Sequence, residues 1–288
     1  MSSAQDLRKR IKSVSNTQQI TKAMKMVASA RLRRAQTKAK STEPYAEKLG
    51  QILTNVASTL DSEVLAAYPL MQVREVNRTC YILVGADKGL AGAYTSNLIK
   101  FFLQATEGKD ANNFETITVG RKATEFLQYH HYDLAHSHVG FSDKPEYSHA
   151  RQIVQEATNL FLEGTVDEVV LIYTHFVNSL TQTVQSLKLL PIETEAHEDG
   201  ALNDLYIYEP NVETIYDQLL PKYLEITMYN ALLQASASEL GARMTAMTSA
   251  TDNAGELIST LNLEYNKLRQ AGITNEISEI VGGANALQ

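Results

Sequence analysis

Apolar residues recur at helical spacing at both ends of the chain and form short continuous runs in its middle. From about residue 3 to 58 there is no glycine before Gly50, and Pro44 is the lone proline. Good helix formers dominate this segment: Ala, Lys, Arg, Gln and Met. Leu7, Ile11 and Val14, then Ile20, Met24 and Val27, mark an apolar stripe. The six-residue step from Val14 to Ile20 breaks strict heptads, and Pro44 predicts a bend or a break.

The middle reads differently. Thr79-Cys80-Tyr81-Ile82-Leu83-Val84 is a buried strand with Gly85 directly after it. Further strands are expected at Phe114 to Val119, Glu168 to Tyr173 and, by its alternation, Thr181 to Leu187. Helices are expected at 95–107, Lys122 to Tyr129 and Glu146 to Phe161. Strands alternating with helices predict an α/β unit with a mainly parallel sheet.

The last segment, opened by Pro210 and Asn211, carries the longest periodicity. Steps of four and three from Leu219 visit Tyr223, Ile226, Asn230, Leu233, Ala237, Leu240, Met244, Met247, Thr251, Ala254, Ile258, Leu261, Tyr265 and Leu268. About seven unbroken heptads argue for a left-handed coiled coil. A helix over 211–285 is roughly 110 Å long at ~1.5 Å per residue, so most of it should protrude, and its partner should be the N-terminal helix. Small residues crowd Ala235 to Gly255, apart from Leu240, Arg243, Met244 and Met247. They let two backbones approach closely. The expected fold is α/β: a long antiparallel coiled coil of helices 1–58 and 210–288 plus a Rossmann-like domain at 75–208.

Composition agrees, since 7% aromatic content and no Trp suit long helices better than a thick sandwich. The net charge of -7 hides an asymmetry. Residues 1–42 hold eleven Lys/Arg against Asp6 alone, ten net positive charges that leave the remainder at -17. A basic arm on an acidic chain points to an anionic partner: nucleic acid, lipid head groups or acidic protein loops. Aromatics for stacking on bases are missing from the arm before Tyr45. No apolar run long enough to cross a bilayer is present, and the start has no signal-peptide pattern. The single cysteine, Cys80, falls within a strand and reads as core.

Chemistry-bearing patterns are sparse. Gly85-Ala86-Asp87-Lys88-Gly89-Leu90-Ala91-Gly92 follows a strand but matches neither glycine-rich nucleotide fingerprint; a tight turn with positive φ accounts for it. His130, His131, His136, His138 and His149 cluster in sequence without metal-ligand spacing and read as solvated or capping residues. No catalytic constellation, cofactor site or metal site is expected. Two other classes stay open on the residues alone. One is a nucleotide-dependent oxidoreductase or transferase on the α/β domain. The other is a coiled-coil scaffold binding nucleic acid through the basic arm.

Three segments carry a resemblance. Ile11-Lys12-Ser13-Val14-Ser15-Asn16-Thr17-Gln18-Gln19-Ile20-Thr21-Lys22-Ala23-Met24-Lys25-Met26-Val27-Ala28 resembles the N-terminal signature of F-type ATP synthase gamma subunits. Ile273-Thr274-Asn275-Glu276-Ile277-Ser278-Glu279-Ile280-Val281-Gly282-Gly283-Ala284 is similar to their C-terminal signature, and Asp87 to Gly92 with Asn97 to their central glycine motif. The family often has Arg and Cys where this chain has Lys88 and Ala91. This chain lacks the paired-cysteine insertion of chloroplast relatives, the stretch from Pro191 to Pro210 being short and without Cys, and shows no transit-peptide pattern, which points to a bacterial member.

The resemblance implies a non-catalytic central-stalk rotor, coupling rotation of a membrane c-ring to ATP synthesis or hydrolysis at beta subunits. The implied partners are alpha, beta and epsilon subunits and the c-ring, with neither nucleic acid nor membrane insertion. The implied location is the cytoplasmic side of the bacterial cell membrane, as a peripheral protein. It also implies that Met24 and Lys25, the basic Arg33, Arg34 and Lys38, and Arg269, Gln270 and Thr274 meet beta-subunit loops. Ile280, Val281, Ala284 and Leu287 would then sit in an apolar sleeve.

Overall fold

The computed structural model describes residues 3–60, 65, 68–110, 113–192 and 211–286. Helix α1 spans Ala4–Ala57. Its first turn is capped reciprocally: Asp6 N–H donates to Ser3 Oγ at 3.2 Å while Ser3 N–H donates to Asp6 Oδ2 at 3.2 Å. After a 3-10 turn at Pro69–Met71 come β1 (Thr79–Val84), α2 (Tyr94–Ala105), β2 (Phe114–Val119) and α3 (Arg121–Tyr129). Then follow β3 (Leu134–His138), α4 (Tyr147–Leu162), β4 (Glu168–Phe176), β5 (Gln182–Leu190) and α5 (Val212–Ala286). Asn211 caps α5, its Oδ1 accepting Thr214 N–H at 2.8 Å.

Two compact units share these elements. Residues Ser29–Arg243 form one; Met1–Ala28 with Met244–Gln288 form the other.

In the larger unit the sheet order is β3-β2-β1-β4-β5. Only β5 is antiparallel, against β4; the other pairings are parallel. Central strand β1 is buried along its whole length. Cys80, Ile82 and Val84 face one side, where Leu53 and Val56 of α1, Ile153 and Phe161 of α4, and Leu220, Leu224 and Met228 of α5 pack. Tyr81 and Leu83 face the other, against Leu98 and Phe102 of α2 and Leu127 of α3. Edge-to-face ring contacts of Phe102 with Tyr81, Phe114 and Tyr132, at 5.8, 5.9 and 5.7 Å, fill that layer and contribute about 0.5–1.5 kcal/mol each beyond burial.

Pro44 causes no break: α1 continues through it. Pro44 and Lys40 are exposed, so the missing amide falls on the solvent side of the helix, where an unpaired carbonyl costs little. Strand β3, which holds His136 and His138, is an edge strand whose bounds the hydrophobic pattern did not mark.

In the smaller unit, residues of α1 pair antiparallel with residues of α5. Gln18 lies against Gly255, while Thr21 reaches Thr251. Met247, Ala254 and Leu261 are buried, with Thr251, Ile258 and Tyr265 half-buried between them, as the C-terminal periodicity predicts; Leu268, its last position, is instead exposed. The N-terminal stripe requires correction. Ile20 and Val27 are 60% and 54% exposed. The inward residues are Leu7, Ile11, Val14, Gln18, Thr21, Lys25 and Ala28, an unbroken series of four- and three-residue steps. The heptads never lapse; three of their positions, Gln18, Thr21 and Lys25, are polar. Gln18 Nε2 donates to Thr251 O at 3.4 Å, and the Thr21 and Thr251 hydroxyls are 2.8 Å apart. These bonds satisfy polar groups that would otherwise have carried the seam's desolvation cost.

Candidate functional site

The larger unit concentrates its polar chemistry at the C-terminal ends of β1 and β3. The β1–α2 loop, residues 85–93, is the glycine motif. Its positive φ values fall at Leu90 (62°) and Gly92 (57°), which supplies the expected tight turn. Asp87 organises the loop. Its Oδ1 accepts the N–H groups of Arg121 (3.1 Å) and Gly140 (2.9 Å), and its Oδ2 accepts Ser142 N–H (2.9 Å). Ser142 Oγ accepts Asp87 N–H at 3.0 Å in return. Arg121 opens α3, so a carboxylate from another loop caps that helix and meets its positive dipole end. Burial pushes the Asp87 carboxyl up, but the three backbone donors outweigh it and hold it below the ordinary range.

Two ion-pair groups flank this knot. Asp143, in the β3–α4 loop, pairs with Arg31 of α1 and, through Oδ2, with Lys88 Nζ at 3.0 Å. Burial raises its pKa, yet Lys88 and Arg31 bring it below the ordinary value. Arg243 of α5 donates from one nitrogen to Lys88 O (3.1 Å), Gly89 O (3.2 Å) and Glu239 Oε1 (2.6 Å). Two hydrogens serve three acceptors, so at least one is shared. Glu239 is 1% exposed in its side chain, and burial raises its pKa despite the arginine. Beside it Tyr94 Oη donates to Ala235 O at 3.3 Å, its phenol also raised by burial.

The basic residues of α1 in this unit part company. Arg33 lines a cleft of about 720 Å³ with Lys40, His175 and Gln234. Arg34 and Lys38 line another of about 330 Å³ with Asp143, Pro145 and Ser236. Lys38 is not free: Nζ donates to Pro145 O at 3.1 Å and lies 5.5 Å from the Tyr229 ring centre.

In the smaller unit Met24 and Lys25 are half-buried, and Arg269, Gln270 and Thr274 are exposed. Thr274 Oγ1 bonds back to Gln270 O at 3.0 Å. Ile280 and Val281 are 71% and 53% exposed, joined by Ile273 and Ile277 at 44% and 56%. Ala284 lies within α5, its side chain not described, and Leu287 falls outside the described residues.

The histidines do structural work. His138 Nε2 and Glu156 Oε2 are 2.7 Å apart, and His149 Nδ1 accepts Glu146 N–H at 3.1 Å while stacking on Phe141. Among the described residues no three His, Cys, Asp or Glu side chains form a metal-binding group, and no helix is long and apolar enough to cross a membrane. Burial pushes the Cys80 thiol up to about 12, leaving it inert.

The family model for ATP synthase matches residues 3–287. The chain is 46% identical to the ATP synthase gamma chains of Halothermothrix orenii and Desulforamulus reducens, over 291 and 288 aligned positions that cover 100% of this chain and of each relative. The chain belongs to the ATP synthase gamma chain family.

Solved structures agree. A chain of the Euglena gracilis mitochondrial ATP synthase shares the fold with a TM-score of 0.71 at 18% identity, over 99% of this chain and 94% of that one. A chain from the central stalk and c-ring of the Tetrahymena thermophila mitochondrial enzyme gives a TM-score of 0.64 at 25% identity, over 80% and 99%. As a gamma chain this protein is a non-catalytic central-stalk subunit, and that identity displaces both the oxidoreductase and the nucleic-acid readings. Sequence reasoning missed Asp143 and the Glu239–Arg243 pair; the four-residue spacing of the latter on a helix was its only signal.

Proposed function

We propose that this chain is the rotor of a proton-translocating F-type synthase, at the cytoplasmic side of a bacterial cell membrane and peripheral to it. In this reading the terminal helices, 1–58 and 210–288, turn inside a ring of alternating alpha and beta subunits. The α/β portion, 75–208, stands on the c-ring with epsilon alongside. Met24, Lys25, Arg33, Arg34 and Lys38 face acidic beta-subunit loops. Arg269, Gln270 and Thr274 meet a second beta loop, and Ile280, Val281, Ala284 and Leu287 run in an apolar sleeve.

One observation carries the proposal. After Tyr265 every described side chain of α5 through Gly282 is exposed, yet Ile273, Ile277, Ile280 and Val281 keep an apolar strip at helical spacing. A helix with such a strip and no cover from the described residues calls for a partner surface. Exposed ion pairs are worth only ~0–1 kcal/mol each, so the basic contacts of α1 can exchange as a shaft turns.

The test is a pull-down of the tagged chain from native membranes. Alpha, beta and epsilon subunits should be recovered with it. Recovery of the chain free of beta, under conditions that keep a known synthase intact, would end the proposal.

A further inference from the structure

A continuous polar path in the larger unit joins α1, the β3–α4 loop, the glycine loop and α5. Arg31 pairs with Asp143, and Asp143 Oδ2 takes Lys88 Nζ at 3.0 Å. The Lys88 and Gly89 carbonyls are held by Arg243 at 3.1 and 3.2 Å, and Arg243 is tied to Glu239 at 2.6 Å. We infer that this path is a torsional clutch: Asp143 and Arg243 lock the helical segments of the unit to the loops ending β1 and β3, so that sheet and helices turn together. The inference rests on the rotor reading above.

Two other hydrogen bonds join α5 to β4: Ser238 Oγ donates to Thr174 O at 3.0 Å, and Gln234 Oε1 accepts Phe176 N–H at 3.3 Å. The remaining packing of the helices on the sheet is largely apolar, through side chains such as Leu53, Val56, Leu220 and Leu224. Apolar burial is non-directional. It resists separation but opposes rolling about a helix axis only through side-chain interlock. Hydrogen bonds weaken steeply with angle, so polar ties resist rolling directly. The path is graded in strength. Arg243 and Glu239 are 10% and 1% exposed in their side chains, against 63% for Lys88 and 41% for Arg31. The Arg243 end is the anchor; the Asp143 end is looser, because solvent screens exposed pairs. Asp143 is the shared acceptor for cations from α1 and from the glycine loop, so its loss frees both at once.

The decisive measurement is the angular spread of a probe on the α/β portion, in complexes stalled with alpha and beta subunits. Asp143→Asn and Arg243→Lys should widen it, and proton-driven ATP synthesis should fall several-fold relative to ATP hydrolysis. Asp143→Glu, which keeps the charge, should restore most of the loss; a side chain that merely filled space would not be rescued this way. Should Arg243→Lys fail to assemble, Asp143→Asn decides alone. An unchanged spread and unchanged coupling in assembled Asp143→Asn complexes overturn the clutch while the rotor stands. Absence of rotation in the unsubstituted chain removes the rotor reading and the clutch with it.

Discussion

Thr21 and Thr251 face each other across the helix seam with their hydroxyls 2.8 Å apart. Each also has a carbonyl of its own helix in reach: Gln18 O at 3.0 Å and Met247 O at 2.7 Å. One proton can therefore cross the seam while the other bonds back. Replacing one threonine by valine leaves a hydroxyl without its cross-seam partner, at a cost of about 1 kcal/mol. Replacing both removes the need, and valine matches threonine in helix propensity. Chemical denaturation should show Thr21→Val or Thr251→Val destabilising and the double variant close to the parent. A double variant as destabilised as the sum of the singles would contradict this account.

That seam marks where the sequence was readable and where it was not. Thr79–Val84, Phe114–Val119 and the run from Glu168 were legible because their side chains are buried in continuous apolar runs or strict alternation. Leu134–His138 was not: at the sheet edge its side chains are half-buried or exposed, so burial wrote no pattern there. In α1 apolar Ile20 and Val27 lie outside and polar Gln18 and Thr21 inside, which inverts a hydrophobic reading. The Arg31–Asp143 and Arg243–Lys88 contacts join residues more than a hundred positions apart, and no periodicity encodes such pairs.

Acid should loosen the glycine loop in a defined sense. The Asp87 carboxyl is held below its ordinary value in the fold. Its stabilisation is therefore present above the unfolded pKa of about 3.9 and is lost as pH falls through the lower folded value. Asp143 acts in the same direction. Asp87→Asn keeps one acceptor oxygen for three donors and should cost about 1–3 kcal/mol at neutral pH. Urea midpoints measured between about pH 2 and 7, spanning that carboxylate range, should fall less steeply in the variant. Parallel pH profiles would show that Asp87 is not the titrating group.

Gly120 sits at a φ of 93°, where an added Cβ would lie 2.7 Å from Gly85 carbonyl atoms. Neither backbone can retreat, because Gly120 N–H donates to His138 O at 2.7 Å and Gly85 N–H to Val119 O at 2.8 Å. Gly120→Ala combines left-handed strain with a backbone clash and should cost at least about 2 kcal/mol. A Tm equal to that of the parent would mean the β1 and β2 ends are far less constrained than described.

Removing residues 270–288 tests the exposed end of α5 separately from folding. Every described side chain from 266 to 282 is exposed, so the thermal transition should keep its midpoint. Coupled ATP synthesis or complex assembly should weaken. Undiminished coupling would count against the roles proposed for Gln270, Thr274, Ile280 and Val281.

Charge reversal in α1 separates the proposed bearing from internal structure. Arg33 and Arg34 are exposed, and no ion pair engages either among the described residues. Lys38 holds Pro145 O and lies over Tyr229, so Lys38→Glu mixes lost structure with lost attraction. The clean variant is Arg33→Glu with Arg34→Glu. If each exposed pair is worth up to ~1 kcal/mol, losing two should lower coupled ATP synthesis by up to roughly thirtyfold while the unfolding transition stays put. The deficit should grow at low ionic strength, because the screening length shortens from about 30 Å at 0.01 M to 10 Å at 0.1 M salt. Lys38→Glu should instead lower thermal stability as well as coupling. A double reversal that leaves synthesis untouched at every salt concentration would show that these arginines meet no acidic surface during turnover.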